Sequence, residues 1–149
     1  MSPPTPLIHK RIFYVLPRDL EQAGMVSTMV RRELLALDVS PDVVRRAGIV
    51  CFEGEMNIVL YTSGGRIILI VREDRVELLF SDSGPGIADI DLVSQPGYST
   101  APDWARELGF GAGLGITNME QNSDLFKIWS RVGHGTVVRA TLLLGVPFF

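Results

Sequence analysis

Glu53 and Asn57 stand four residues apart in a stretch that is otherwise largely apolar. On a helix that spacing places both side chains on one face, one turn from each other. A carboxylate and a carboxamide in such a setting must find polar partners or sit at a solvent edge, because burying them unpaired is costly. Their spacing alone leaves both options open. A second group, Asp82-Ser83-Gly84-Pro85-Gly86-Ile87, directly follows an apolar run. Its aspartate can accept a hydrogen bond from an exocyclic amine, and its glycines let the backbone approach a ligand closely. An ordinary strand-ending turn would use the same residue types. The third group is Gly109-Phe110-Gly111-Ala112-Gly113-Leu114-Gly115. Glycine at every second position exposes successive backbone N–H groups, and a helix N-terminus beyond it adds partial positive charge. That combination suits a polyphosphate; a flexible hinge is the alternative. It is neither a dinucleotide fingerprint, since no strand leads directly into it, nor a P-loop, since no Gly-Lys-Ser/Thr follows.

These groups need elements to position them. Leu7 to Leu16 has a strand-like mix of β-branched and aromatic residues. Asp19 can cap a first helix that carries Met25, Met29, Val30, Leu34 and Leu37 at helical spacing. Ser40-Pro41-Asp42 starts a second helix, with a hydroxyl at the N-cap, proline at N1 and an acid in the first turn. This helix carries Glu53 and Asn57 and should end near Tyr61, where Gly64 or Gly65 can take a left-handed cap. Arg66–Val71 and Val76–Phe80 read as a hairpin around Glu73-Asp74-Arg75. Ser81 to Gly113 reads as a long loop with a helical turn near Asp103 to Glu107, and loops of that length are usually functional or disordered. Leu114 to Asn122 reads as a short helix, and Leu125–Ser130 and Thr136–Leu144 as paired strands. The order predicts an α+β fold: a two-layer α/β sandwich whose mixed, mainly antiparallel sheet is covered on one face by helices.

Bulk properties narrow the function classes. The chain has 149 residues, 46% apolar and 21% charged, with a net charge of −3. That is a usual composition for one globular domain. Residues 1–6 read as a flexible tail and 7–149 as a single domain. Arg31-Arg32 and Arg45-Arg46 are local pairs on helix faces rather than a basic stripe, so nucleic acid is not the expected partner. No uncharged run approaches the roughly 20 residues that cross a bilayer, and the Pro-rich start does not read as a signal peptide. Cys51 is the single cysteine and lies in an apolar run, which predicts a buried thiol and fits a reducing cytoplasm. Two histidines without a cysteine cluster do not suggest a transition-metal site.

In this order and on these elements, the three groups together resemble the GHKL (Bergerat-fold) ATPase superfamily. Glu53 and Asn57 match its N box, Asp82 to Gly86 its first glycine box, Gly109 to Gly115 its second, and Val132-Gly133-His134-Gly135-Thr136 its late Gly-Thr element. The chain is most similar to the small anti-sigma-factor serine/threonine kinases, especially stress-signalling switch kinases. Gly97-Tyr98-Ser99-Thr100, with Arg106 to Gly115, resembles the lid of that group.

The resemblance implies ATP and Mg²⁺ as cofactors. It implies that Asn57 holds the metal, that Glu53 is the general base, and that Asp82 reads the adenine amine with Gly86 in close approach. Gly111, Gly113 and Gly115 would wrap the phosphates and Thr136 would hold the adenine end. Gly84, Ile87, Gly109, Ala112 and Leu114 complete the implied nucleotide contacts. The implied activity is phosphorylation of a STAS-domain protein in a bacterial partner-switching system, in the cytoplasm, by a monomer or homodimer. A sigma factor or a phosphatase regulator is the implied further partner. The alternative is a nucleotide-gated binder that sequesters its partner without phosphotransfer. Two residues depart from the pattern: Gly54 interrupts the N-box helix at a cost of about 1 kcal/mol against alanine, and Glu55 adds a second carboxylate. Two positions from Glu53, Glu55 should point to another face and is expected to be exposed.

Overall fold

The computed structural model describes residues 5–99 and 114–145. Within them the chain runs β1 (Leu7–Val15), α1 (Met25–Ala36), α2 (Pro41–Tyr61), β2 (Gly65–Arg72), β3 (Arg75–Asp82), α3 (Ile90–Val93), α4 (Gly115–Gln121), β4 (Leu125–Arg131) and β5 (Gly135–Leu143). The strands form one five-stranded sheet in the order β1-β2-β3-β5-β4. Every pairing in it is antiparallel, where the sequence had allowed a mixed sheet.

Alternation decides which side of the sheet is covered. Ile67, Leu69 and Val71 of β2 and Val76, Leu78 and Phe80 of β3 point inward and are buried, as are Val138, Ala140 and Leu142 of β5. They meet Val30 and Leu34 of α1 and Val50, Ile58 and Val59 of α2 in one core. The opposite face stays open, with Tyr14, Arg66, Arg139 and Trp129 exposed on it. This is the two-layer α+β sandwich that the pattern predicted, and it has the form of a Bergerat-type fold.

The central element is α2, a helix of 21 residues. Ser40 Oγ accepts from the Val43 N–H, Pro41 fills the first turn, and Asp42 follows, as the sequence signals. Its end is fixed by Thr62, whose hydroxyl donates to the Ile58 carbonyl at 2.7 Å and accepts from the Gly64 N–H at 3.0 Å. Gly64 then turns the chain into β2 with a positive φ of 108°.

The glycines of α2 set how closely it packs. A Cβ at Gly54 would lie 2.1 Å from Phe80 Cε1 and 2.3 Å from Phe80 Cδ1. The helix therefore rests directly on β3, and the propensity cost of Gly54 is the condition for that approach. Cys51, buried as expected, belongs to the same core.

Several expectations need correction. Asp19 does not start α1: its carboxylate accepts from the Gln22 N–H in a turn, and the helix begins at Met25. Gly24, with φ 95°, reverses the chain just before it and brings no capping side chain. Glu55 is not exposed. It is 3% accessible and lies against the N–H groups of Gly24, Val26 and Ser27 at the start of α1. Helix geometry correctly turns it away from Glu53, but α1 covers the face it reaches. At the start of the described chain, Arg72 donates to the Thr5 carbonyl at 2.8 Å and the Glu73 N–H to that of Pro6 at 3.3 Å. The region after Phe80 is less irregular than predicted, since β3 continues to Asp82 and Asp89 caps the short α3 by accepting from the Leu92 N–H. The helical turn expected at 103–107 and the apolar Val146 to Phe149 lie outside the described residues.

Candidate functional site

A cavity of about 830 Å³ opens between α2, α4, the segment after β3 and the inner edge of the sheet. Glu53, Asn57, Asp82, Gly86, Ile87, Leu114, Gly115 and Thr136 all line it. The structure thus brings together residues from four separate parts of the chain that the sequence had grouped only by motif.

The α2–α4 side carries the carboxylate and the carboxamide. Glu53 and Asn57 project from the same helix face, as their spacing requires. Asn118 of α4 donates from Nδ2 to Glu53 Oε1 at 3.2 Å, which orients the carboxylate. Asn57 Nδ2 faces Met119 Sδ at 3.9 Å. Gly115 lies beside the remaining oxygens: a Cβ there would sit 3.1 Å from Glu53 Oε2 and 3.3 Å from Asn57 Oδ1. The missing side chain leaves a small space next to two oxygen acceptors. Oxygen ligands with room for further water or phosphate oxygens are what Mg²⁺ takes, so this cradle fits the metal that the sequence motif implied.

The sheet edge carries the second group. Asp82 ends β3, paired to Thr136 of β5 on one side and Gly65 of β2 on the other. Its Oδ1 accepts from the Gly84 N–H at 2.8 Å. Burial pushes the Asp82 carboxyl above the usual range, and the nearby N–H groups of Gly84 and Thr136 offset this only in part. Gly84 itself does not line the cavity; it stands behind Asp82 and holds it. Gly86 has φ 77°, and a Cβ there would fall 2.4 Å from the Arg131 carbonyl oxygen. The close approach visible at Gly86 is therefore to the β4–β5 turn. Gly135 meets the same constraint, with φ 114° and a Cβ position 2.1 Å from the Asp82 carbonyl oxygen.

Ser130 joins these pieces. Its hydroxyl accepts from the Ile87 N–H at 2.7 Å and lies 2.8 Å from Thr136 Oγ1 and 3.1 Å from the Gly135 carbonyl oxygen. Thr136 is buried, so its hydroxyl is fixed in place. Across the cavity, Tyr61 and Ser99 meet through their hydroxyls at 3.3 Å.

Asn118, Ser130 and Tyr61 escaped the sequence reading. Asn118 lies three residues after Gly115 and so faces α2 one turn on, a signal that helical spacing offered once Gly115 was placed. Ser130 sits in an alternating strand and gave no such signal. Gly109, Gly111, Ala112 and Gly113 lie outside the described residues, as does Thr100.

Comparison with known proteins finds the same relationship repeatedly. The anti-sigma F factor of Pasteuria penetrans is 34% identical over 73 residues, 49% of this chain and 45% of that protein. That of Heyndrickxia coagulans is 39% identical over 70 residues, 47% of this chain and 44% of that protein. That of Bacillus thuringiensis is 32% identical over 106 residues, 71% of this chain and 66% of that protein. The chain is a distant homologue of anti-sigma F factors, and its matches span 44% to 66% of the length of these three relatives. No family model matches it.

Proposed function

We propose that the chain is an ATP-dependent serine/threonine protein kinase of the anti-sigma type, which phosphorylates a STAS-domain partner and binds a sigma factor. The observation that carries this reading is the convergence of Glu53 Oε2 and Asn57 Oδ1 on the open side of Gly115, in the same cavity as Asp82 and Thr136. The relatives add a direction, since each bears the name of an anti-sigma factor.

Asp82 would accept the adenine amine, with Thr136 beside it. Asn57 Oδ1 would hold Mg²⁺, which spreads the negative charge of the phosphates when bound. Glu53, steadied by Asn118, would take the proton of the incoming hydroxyl. The hydroxyl oxygen then forms a bond to the γ-phosphorus, the bond to the β-phosphate oxygen breaks, and ADP leaves. Little covalent chemistry falls to the protein, so positioning and electrostatics carry most of the rate.

The test is transfer of labelled γ-phosphate from ATP to a STAS-domain protein from the same genome. Glu53→Gln should abolish transfer while nucleotide binding persists. Unchanged transfer in that variant would remove Glu53 from the role of base.

A second reading starts from the relatives' name, anti-sigma F factor, and makes this chain a binder that sequesters a sigma factor. Under it, nucleotide gates partner binding and no phosphate moves. Partner affinity that differs between ATP and ADP without any transfer would favour this reading.

A further inference from the structure

Glu55 stands two residues from Glu53 but serves a different place. It lines a second cavity, of about 260 Å³, between β1, α1 and α2. Glu55 is 3% accessible, and its Oε1 has no hydrogen-bond partner. Phe13, Val15, Val26 and Val59 give the groove buried apolar walls. Leu16 and Met25 form its rim and are 65% and 52% exposed. Asp19 adds a second acid, and no lysine, arginine or histidine is among the described residues that line it.

We propose that this groove binds an alkylammonium or guanidinium group carried on an apolar stem. An unpaired buried carboxyl oxygen is expensive, and a cation that reaches it gains a charge-assisted hydrogen bond in a medium of low dielectric. The apolar walls and rim match a methylene stem, as aliphatic segments of lysine and arginine cover apolar surface elsewhere. Water is a poorer occupant, because it needs two to four polar partners and the walls offer few. The volume lies just under the roughly 300 Å³ at which small-molecule pockets begin, enough for a four-carbon amine. Such a group can arrive on a free amine or on a lysine side chain of a partner protein. The site is independent of the kinase reading, since none of the nucleotide residues lines it.

The experiment is titration of the full ¹⁵N-labelled chain, with the amides of Gly24, Val26 and Ser27 followed by NMR. The probes are n-butylammonium, n-butanol and Nα-acetyl-lysine N-methylamide. Butylammonium should give saturable shifts at those amides and bind at least tenfold more tightly than butanol. Equal or tighter binding of the lysine derivative assigns the site to a protein side chain, and its failure beside binding of butylammonium assigns it to a free amine. Glu55→Gln should weaken butylammonium at least tenfold. Met25→Ala, at an exposed rim position, should weaken it several-fold without affecting the fold. Equal binding of alcohol and ammonium overturns the proposal, as does the absence of saturable shifts. The alcohol comparison needs no variant, so a Glu55→Gln chain that fails to fold does not rescue the idea.

Discussion

Gly115→Ala should separate stability from nucleotide binding in one substitution. Gly115 opens α4 with an ordinary helical backbone, outside the positive-φ glycines. Alanine there reduces the entropy of the unfolded chain and raises helix propensity, together worth about 0.4–1 kcal/mol. Against this, the new methyl would sit 3.1 Å from Glu53 Oε2 and 3.3 Å from Asn57 Oδ1, so both side chains must give by a few tenths of an ångström. The unliganded variant should therefore unfold within about 1 kcal/mol of wild type. Binding should behave differently, because the methyl fills the space beside the two oxygens where metal and phosphate are proposed to sit. Ligand at 100 times Kd stabilises by about 2.7 kcal/mol, and at 10 times Kd by about 1.4 kcal/mol. Each kcal/mol moves the midpoint by roughly 2–4 °C at this chain length. The assay is thermal unfolding with and without ATP and Mg²⁺ at 100 times the wild-type Kd. A tenfold loss of affinity cuts the ligand-induced shift from roughly 5–11 °C to roughly 3–6 °C. A variant that keeps the full shift, with the same Mg²⁺ dependence, refutes the placement of metal and phosphate at Gly115.

Gly54→Ala should do the reverse and destabilise the fold. The Cβ would fall 2.1 Å from the Phe80 ring, and overpacking costs about 1–3 kcal/mol, more than the roughly 1 kcal/mol that alanine gains in propensity. Chemical denaturation reads the difference, and a variant as stable as wild type would mean that α2 does not rest on β3. Adenosine affinity should fall on acidification at a pH above the normal aspartate range near 4, because burial holds the Asp82 carboxyl up and the amine needs an ionised acceptor. Calorimetry across that range checks it, with Asp82→Asn expected to bind weakly and without the pH step. Glu55 gives a stability signature of its own. Its pKa is raised in the folded state, so folding binds a proton there, and the stability this brings is present at low pH and lost as pH rises through the folded value. Around it lie the Gly24, Val26 and Ser27 N–H groups, the Cys51 thiol, itself pushed up by burial and by Glu55 and pulled down by Arg31, and Asp19 at the groove; burial outweighs the N–H groups. Glu55→Gln should therefore gain on wild type in midpoint as pH rises from 4 to 7, and parallel curves would contradict it.

Much of the fold was legible because its signals are local. The Ser40-Pro41-Asp42 start of α2 depends only on neighbours, and the hydroxyl does accept from Val43. The hairpin of β2 and β3 follows from two short apolar runs around the charged Glu73-Asp74-Arg75. The start of α1 was misread for the opposite reason. Asp19 carries the right chemistry for a cap, but the turn it closes with Gln22 is followed by Gly24 in a left-handed conformation, and helix N–H groups find their acid on another helix. A cap supplied across a helix pair leaves no mark in the local sequence.

The candidate site divides in the same way. Glu53 and Asn57 share a face because of α-helical geometry, so their pairing could be read directly. Asn118 and Ser130 matter only because α4 packs on α2 and because the β4–β5 turn folds back on Gly86, and both contacts are tertiary. The glycines show the limit most clearly. Gly54, Gly86 and Gly115 look alike in sequence, yet a Cβ would meet an aromatic ring at the first, a backbone carbonyl at the second, and a carboxylate and carboxamide at the third. Only the third clash faces the two oxygens proposed to act on nucleotide. A glycine motif therefore tells where the backbone must come close, and the neighbour it comes close to decides whether the reason is packing or chemistry.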